Sequence, residues 1–195
     1  MYEKSNITIA NILGAAEERF IAKNYNDVTM SEIAERAQVT KGALYHHFSG
    51  KESLYLTMMH SYLEEIGAMV VATAVSQPGT ARNRLHNLAY SFLKLPINKQ
   101  KLMRLVRRDI NIFKDPMRTE LVRAYQKTLP EKAEAIIRDG ILANEIAETD
   151  ARLLAWEYVA LVEVVLGDYA RQVLGGAAET ADYVMNLFFN GAASK

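Results

Sequence analysis

An all-helical fold is what this sequence predicts, and three observations carry the prediction. Apolar residues recur at spacings of three and four through most of the chain. No stretch alternates apolar and polar residues as a half-buried strand would, and no internal repeat is visible. Prolines number 4 and glycines 10 in 195 residues, while Ala, Leu, Glu, Lys, Arg and Met abound, so long helices meet few breakers.

The first helix is predicted over 6–23, where Ile9, Ile12, Leu13, Ala16 and Phe20 make one stripe. Asn24-Tyr25-Asn26-Asp27 breaks it. Thr29 then caps a short helix, and Glu32 three residues on completes a capping box. Ile33, Ala34 and Ala37 give that helix its inner face. Gln38-Val39 turns the chain, with Val39 as an apolar plug. Thr40 caps the next helix, predicted to run through Phe48 and stop at Ser49-Gly50.

That helix shows its purpose by what it leaves outside. Leu44 and Phe48 share one stripe, while Gly42, Ala43, Tyr45 and His46 fan across the other side and Lys41 stands at the tip. An apolar back and a front of small, aromatic and donor residues suit a DNA major groove. Gly42 and Ala43 allow close approach, Tyr45, His46 and His47 can donate to phosphates, and Lys41 can reach a base edge. The helix N-termini at Thr29 and Thr40 favour phosphate. Thr29, Thr40, Lys41, Gly42, Tyr45, His46, His47 and Lys51 are therefore the candidate DNA-binding residues. His46 and His47 point about 100° apart on a helix and lack a third ligand nearby, so no metal site is expected there.

These residues resemble the TetR family of transcriptional regulators. The resemblance is carried by Thr29, Ile33-Ala34-x-x-Ala37, Val39-Thr40-Lys41-Gly42, Leu44-Tyr45-x-His47-Phe48 and Lys51-Glu52-x-Leu54, without a gap over 26 positions. It covers roughly residues 5–55. It implies a three-helix DNA-binding domain with a helix-turn-helix, residues 1–52 (motif 29–48). A larger helical ligand-binding and dimerisation domain, residues 53–195, is joined to it by a long helix. Position 46 is often a large aromatic in relatives and is His46 here, which leaves open whether it meets a base or a phosphate.

The remaining elements follow in order. Lys51 to about Val75 is predicted as one long helix ended by Gln77-Pro78-Gly79. Residues 80–95 and 99–113 form two more, separated around Pro96. Asp115 as cap and Pro116 at the first helical position open a helix to about Ala143. Pro130 inside it predicts a kink near 128–130 or two helices end to end. Thr149-Asp150 opens a helix to about Leu174, and Glu179 or Thr180 opens the last, to about Asn190. These two carry more apolar surface than one core can take, including Trp156, Val159, Val162, Leu166, Tyr183 and Phe188. The excess predicts a four-helix homodimer interface within residues 150–190.

Charge bounds the partner. Net charge is zero over the chain, and residues 1–51 carry six basic and six acidic side chains. A general nucleic-acid coat protein would be strongly basic; a sequence-specific dimer on an inverted-repeat operator needs only a local basic tip. The absence of cysteine excludes disulfides, zinc–thiolate sites and thiol nucleophiles and fits the cytoplasm. The first residues do not read as a signal peptide, and no window reads as a membrane span. No Gly-rich phosphate loop, nucleophile motif or metal-spaced His pair is present, so neither enzyme activity nor a cofactor is expected.

An effector site is expected in the helical domain. Arg104 and Arg107 could anchor an acidic head group, and Phe92, Met103, Phe113, Tyr125, Trp156 and Tyr158 could line an apolar pocket. Each of these also reads as plain core or solvated surface. The expected function is a repressor released by a small, mostly apolar ligand. The alternative is a DNA-bound interaction protein of the same fold with no small-molecule inducer, distinguished by a solidly packed helical domain.

Overall fold

The structure, a computed structural model, describes residues 2–191. The ends of both expected domains, residue 1 and residues 192–195, lie outside it. All regular elements among the described residues are helical. Contact density divides the chain into two compact units, Met1–Tyr62 with Lys101–Val122, and Leu63–Gln100 with Arg123–Lys195.

The first unit is built from α1 (Tyr2–Ala22), α2 (Met30–Arg36), α3 (Lys41–His47), the first part of α4 (Lys51–Val70), most of α6 (Ile97–Asp109) and the start of α7 (Met117–Thr128). Ile12, Ala16 and Phe20 of α1, Ile33 and Ala34 of α2, Leu44 of α3 and Leu54 of α4 are all buried. These are the positions that the spacing of three and four brings to one face. A cluster of four rings closes the unit. Tyr55 packs edge-on against Phe20 at 4.9 Å between centroids and against Tyr25 at 5.3 Å, and Phe113 lies 5.1 Å from Tyr55. A buried polar network ties the helices together here. The Tyr55 hydroxyl donates to Asp109 at 2.9 Å, and Arg108 donates to the same carboxylate from Nε at 2.6 Å and Nη2 at 2.8 Å. Arg108 Nη2 also reaches the carbonyls of Phe20 and Lys23 at the end of α1, at 3.2 and 3.3 Å.

The second unit holds the end of α4, a π-helical turn (Val71–Val75), α5 (Ala81–Leu93), α8 (Pro130–Leu142), α9 (Ala151–Val165), α10 (Asp168–Val173) and α11 (Ala177–Asn190), with the remainder of α6 and α7. Thr80 caps α5 and Asp150 caps α9, each accepting a bond from a first-turn amide. Arg84 ties α5 to the π-helical turn, donating to the Ala74 and Val75 carbonyls at 3.2 Å each, and reaches Asp139 of α8 at 2.7 Å. The buried Tyr158 hydroxyl donates to the Leu85 carbonyl at 2.7 Å. Tyr125 donates to the buried carboxylate of Glu163 at 2.5 Å, so that acid on an apolar helix faces inward with a partner. At Gly140 the backbone of α8 runs against the start of α5. A Cβ there would lie 2.6 Å from the Ala81 Cβ and 2.9 Å from the Ile146 Cδ1.

Three expectations change, and at Pro130 the second of the two expected alternatives holds. Phe48 is the C-cap of α3 rather than its last residue, its backbone already extended. Asp115 precedes a helix that starts at Met117, and its carboxylate accepts from the Thr119 amide and hydroxyl. Pro130 separates two helices and takes the first position of α8, where its missing N–H costs nothing. The helix expected from 149 to 174 breaks at Leu166-Gly167, and α10 restarts at Asp168. Gly167 N–H bonds to the Val164 carbonyl and so tightens the last turn of α9.

Candidate nucleic-acid interface

The α2–turn–α3 segment is fixed by local chemistry at each joint. Thr29 Oγ1 accepts from the Glu32 amide at 3.2 Å and the Glu32 carboxylate accepts from the Thr29 amide at 2.9 Å, a complete capping box. Lys23 adds an ion pair to Glu32 at 2.5 Å. Lys23 and the Thr29 bonds together pull the Glu32 carboxyl down to about 2. After α2 the chain passes through Gln38 with φ 57°, a left-handed residue that reverses its direction. The Val39 amide returns to the Ala34 carbonyl at 3.0 Å. Thr40 then caps α3, accepting from the Ala43 amide at 3.1 Å.

The burial pattern of α3 has two sides. Leu44 is 0% exposed and Phe48 5%, whereas Tyr45 is 53% exposed. Lys41, Gly42 and His46 are exposed beside it, and His47 is half-buried with its ring 5.2 Å from that of His46. A Cβ at Gly42 would meet only the Thr40 hydroxyl, at 3.9 Å, so nothing inside the unit demands a glycine there. The acids of the first 51 residues are partly neutralised in place. Glu18 takes Arg36 through two bonds at 2.5 and 2.8 Å, and Glu32 takes Lys23.

Lys51 is placed differently from the other candidates. Its ammonium donates to the carbonyls of Tyr25 at 2.8 Å and Val28 at 2.9 Å, and it stands 4.4 Å from the centre of the Tyr25 ring. Burial lowers its pKa. The side chain thus braces the 3-10 turn Tyr25–Asp27 against the start of α4. Nothing in the sequence pattern marked those carbonyls as its partners.

The eight candidate effector residues divide between the two units. Met103, Arg104, Arg107 and Phe113 belong to the first, and Phe92, Tyr125, Trp156 and Tyr158 to the second. Met103 and Phe113 are buried, Phe113 against Tyr25 and Tyr55. Arg104 lines a cleft of about 300 Å³ with Ile21, Lys101, Leu105 and Arg108. Phe92 and Tyr158 are both 0% exposed. Trp156, 6.1 Å from Tyr125 between ring centres, lines a groove of about 230 Å³ with Gln126, Pro130, Glu131, Glu134, Arg138 and Arg152.

Apolar side chains stand outward on the last helices. Leu153 and Val164 of α9, Tyr169 and Val173 of α10 and Tyr183 of α11 are exposed. Leu153, Ala160 and Val164 fall on one face of α9. Phe188 is half-buried, its ring 5.6 Å from that of Tyr158, so it packs within its own unit. Among the described residues no cluster of three or more His, Cys, Asp or Glu is placed to hold a metal ion. No helix among them is long and apolar enough to cross a membrane.

Comparison with known proteins agrees with this geometry. Residues 12–58 match the family described as bacterial regulatory proteins, tetR family. The chain is 31% identical over 152 residues to the HTH-type transcriptional activator FasR of Mycolicibacterium smegmatis, covering 77% of this chain and 66% of that one. It is 45% identical over 49 residues to the HTH-type transcriptional regulator QacR of Staphylococcus aureus, covering 25% of this chain and 26% of that one. The match thus spans just under two thirds of the first relative and about a quarter of the second. The fold is shared with FadR from Bacillus subtilis in complex with stearoyl-CoA, at TM-score 0.80, 18% identity and coverage of 94% and 99%. It is shared equally with a tetR-family regulatory protein from Rhodococcus, at TM-score 0.81, 21% identity and coverage of 94% and 96%. The helix-turn-helix segment, the relative at 31% identity and the common backbone together place this chain in the tetR family of bacterial regulatory proteins.

Proposed function

We propose that this chain is a cytoplasmic, homodimeric, sequence-specific DNA-binding transcriptional regulator, with residues 1–52 as the DNA-binding domain and 53–195 as the effector and dimerisation domain. The observation that carries the reading is the two-sided α3. Its back is sealed by Leu44 and Phe48, and its front exposes Lys41, Gly42, Tyr45 and His46. Lys41 reads a base edge; Tyr45, His47 and the capped N-termini at Thr29 and Thr40 hold phosphates, and His46 meets the DNA beside them, at a base or a phosphate. Lys51 acts from behind, by bracing the turn that precedes α2.

The outward apolar side chains of residues 150–190 join two copies, so the operator is an inverted repeat with half-sites about 34–36 Å apart or a multiple of that. The regulator represses until a small, mostly apolar ligand favours the state that does not fit the operator; each ~1.4 kcal/mol of preference is about tenfold in operator affinity. The Bacillus subtilis FadR, of the same fold, was solved with stearoyl-CoA, which supports an effector with a long apolar part.

Selection from a randomised duplex library with the purified protein tests the reading. An enriched inverted repeat, relaxed at one base position of each half-site when Lys41→Ala replaces the wild type, is the expected result. Enrichment of no motif, or of one that Lys41→Ala retains in full, would overturn the assignment of α3.

A further inference from the structure

The cleft beside the end of α1 has a composition that plain surface does not explain. Five residues line it: Ile21 of α1, and Lys101, Arg104, Leu105 and Arg108 of α6. Three are cations and none is an acid. The spacing 101, 104, 108 sets the cations along one face of α6. Asp109 offsets Arg108 through its two bonds, but no carboxylate lines the cleft itself, and the apolar walls of Ile21 and Leu105 concentrate the positive potential that Lys101 and Arg104 add. Several cations elsewhere are matched by an acid: Lys23 by Glu32, Arg36 by Glu18, Lys99 by Glu65 and Arg84 by Asp139. The volume, about 300 Å³, is at the small end of small-molecule sites.

Arg108 gives the cleft a connection. Its bonds to Asp109 are short and charge-assisted, but those to the Phe20 and Lys23 carbonyls are long, 3.2 and 3.3 Å, and share one nitrogen. A phosphate oxygen is a stronger acceptor for a guanidinium than a neutral carbonyl at that distance. An anion in the cleft would therefore take Arg108 from α1 before it took it from Asp109.

We propose that this cleft binds a small phosphate-bearing anion between Lys101, Arg104 and Arg108, and that binding frees the end of α1 by withdrawing Arg108 from the Phe20 and Lys23 carbonyls. The site stands on its own geometry. Its regulatory meaning, a loosened support behind α2 and α3, rests on the DNA-binding reading above.

Calorimetry of the full-length protein with inorganic pyrophosphate, at ionic strength held constant with chloride and with no DNA present, tests the site apart from that reading. One saturable site per chain is expected. The double variant Lys101→Gln/Arg104→Gln should bind at least about tenfold more weakly. Arg138→Gln, in a basic position paired with Glu134, should bind as the wild type does. In hydrogen exchange, pyrophosphate should speed exchange of residues 19–27 in the wild type and leave the double variant unchanged. Absence of saturable binding, or equal binding by the double variant, would overturn the site. Saturable binding with unaltered exchange over residues 19–27 would overturn the link to α1.

Discussion

Tyr55→Phe removes one oxygen from the centre of the first unit and leaves everything else in place. The ring is fully buried and keeps its contacts with Phe20, Tyr25 and Phe113, so no cavity opens. Asp109, 1% exposed, loses the hydroxyl at 2.9 Å but retains both bonds from Arg108. A hydrogen bond to a buried charged group contributes about 1.5–3 kcal/mol, and the remaining Arg108 bonds put the loss in the lower half of that range, about 2 kcal/mol. A second signature lies in alkali. Burial and the neighbouring Asp109 charge push the Tyr55 hydroxyl above its ordinary value of 10.0. The unfolded chain therefore gives up this proton above about pH 10 while the folded chain keeps it. The contribution is complete below that pH and is lost as pH rises, at about 1.4 kcal/mol per pH unit. Urea unfolding followed by circular dichroism, at one protein concentration so that association does not intrude, measures both effects. The variant should be about 2 kcal/mol less stable at pH 7 and should decline less steeply above pH 10. A loss below about 0.5 kcal/mol, less than even a weak hydrogen bond contributes, would refute the reasoning. So would parallel alkaline slopes.

Thr29→Ala removes the cap of α2 and should cost about 1 kcal/mol in the same unfolding assay. Glu32 is held down to about 2, so its contribution is present above its unfolded value, 4.5, and is lost as pH falls towards 2. Glu32→Gln should flatten that acid limb in a pH titration of stability. Lys41→Ala should weaken operator binding by roughly 1–3 kcal/mol and relax preference at one base position. Tyr45→Phe should weaken all sequences alike, by about 1 kcal/mol; competition binding on operator variants at fixed salt separates the two. Val164→Asp places a charge on the outward face of α9 and should shift sedimentation from dimer to monomer while the helical circular dichroism stays intact. Phe188 is a poorer probe of assembly because it packs on Tyr158 in its own unit.

What was legible in the sequence was what local chemistry determines. Thr29, Thr40 and Asp150 have short polar side chains beside an amphipathic run, and all three cap helices. Pro130 announced its break because a proline cannot donate the helical bond. The α3 face was legible because period 3.6 alone separates Leu44 and Phe48 from Tyr45 and His46. Long-range polar partners left no such trace. The pairing of Tyr55 with Asp109 spans 54 positions and that of Tyr125 with Glu163 spans 38, so no spacing rule connects them. His60 and His86, solitary in the sequence, meet Glu120 at 2.9 Å and Asp182 at 3.1 Å. The break at Gly167 was hidden because the apolar pattern continues through it. The destination of Lys51 was hidden because carbonyl acceptors belong to every residue.

Gly140 has a consequence for how this sequence can drift. The Ala81 methyl and the Ile146 side chain already occupy the place of any Cβ at that position. Ile146 can swing its terminal carbon aside, but Ala81 is held by its own amide bond to Glu145 at the first turn of α5. An alanine at 140 is therefore admissible only after position 81 has become glycine, and a larger residue at 81 only while 140 remains glycine. A single substitution at 140 is a dead end, and the open route runs through glycine at 81 first. Among descendants of this chain the two positions should change in that order, as a coupled pair, while the residues around them vary independently.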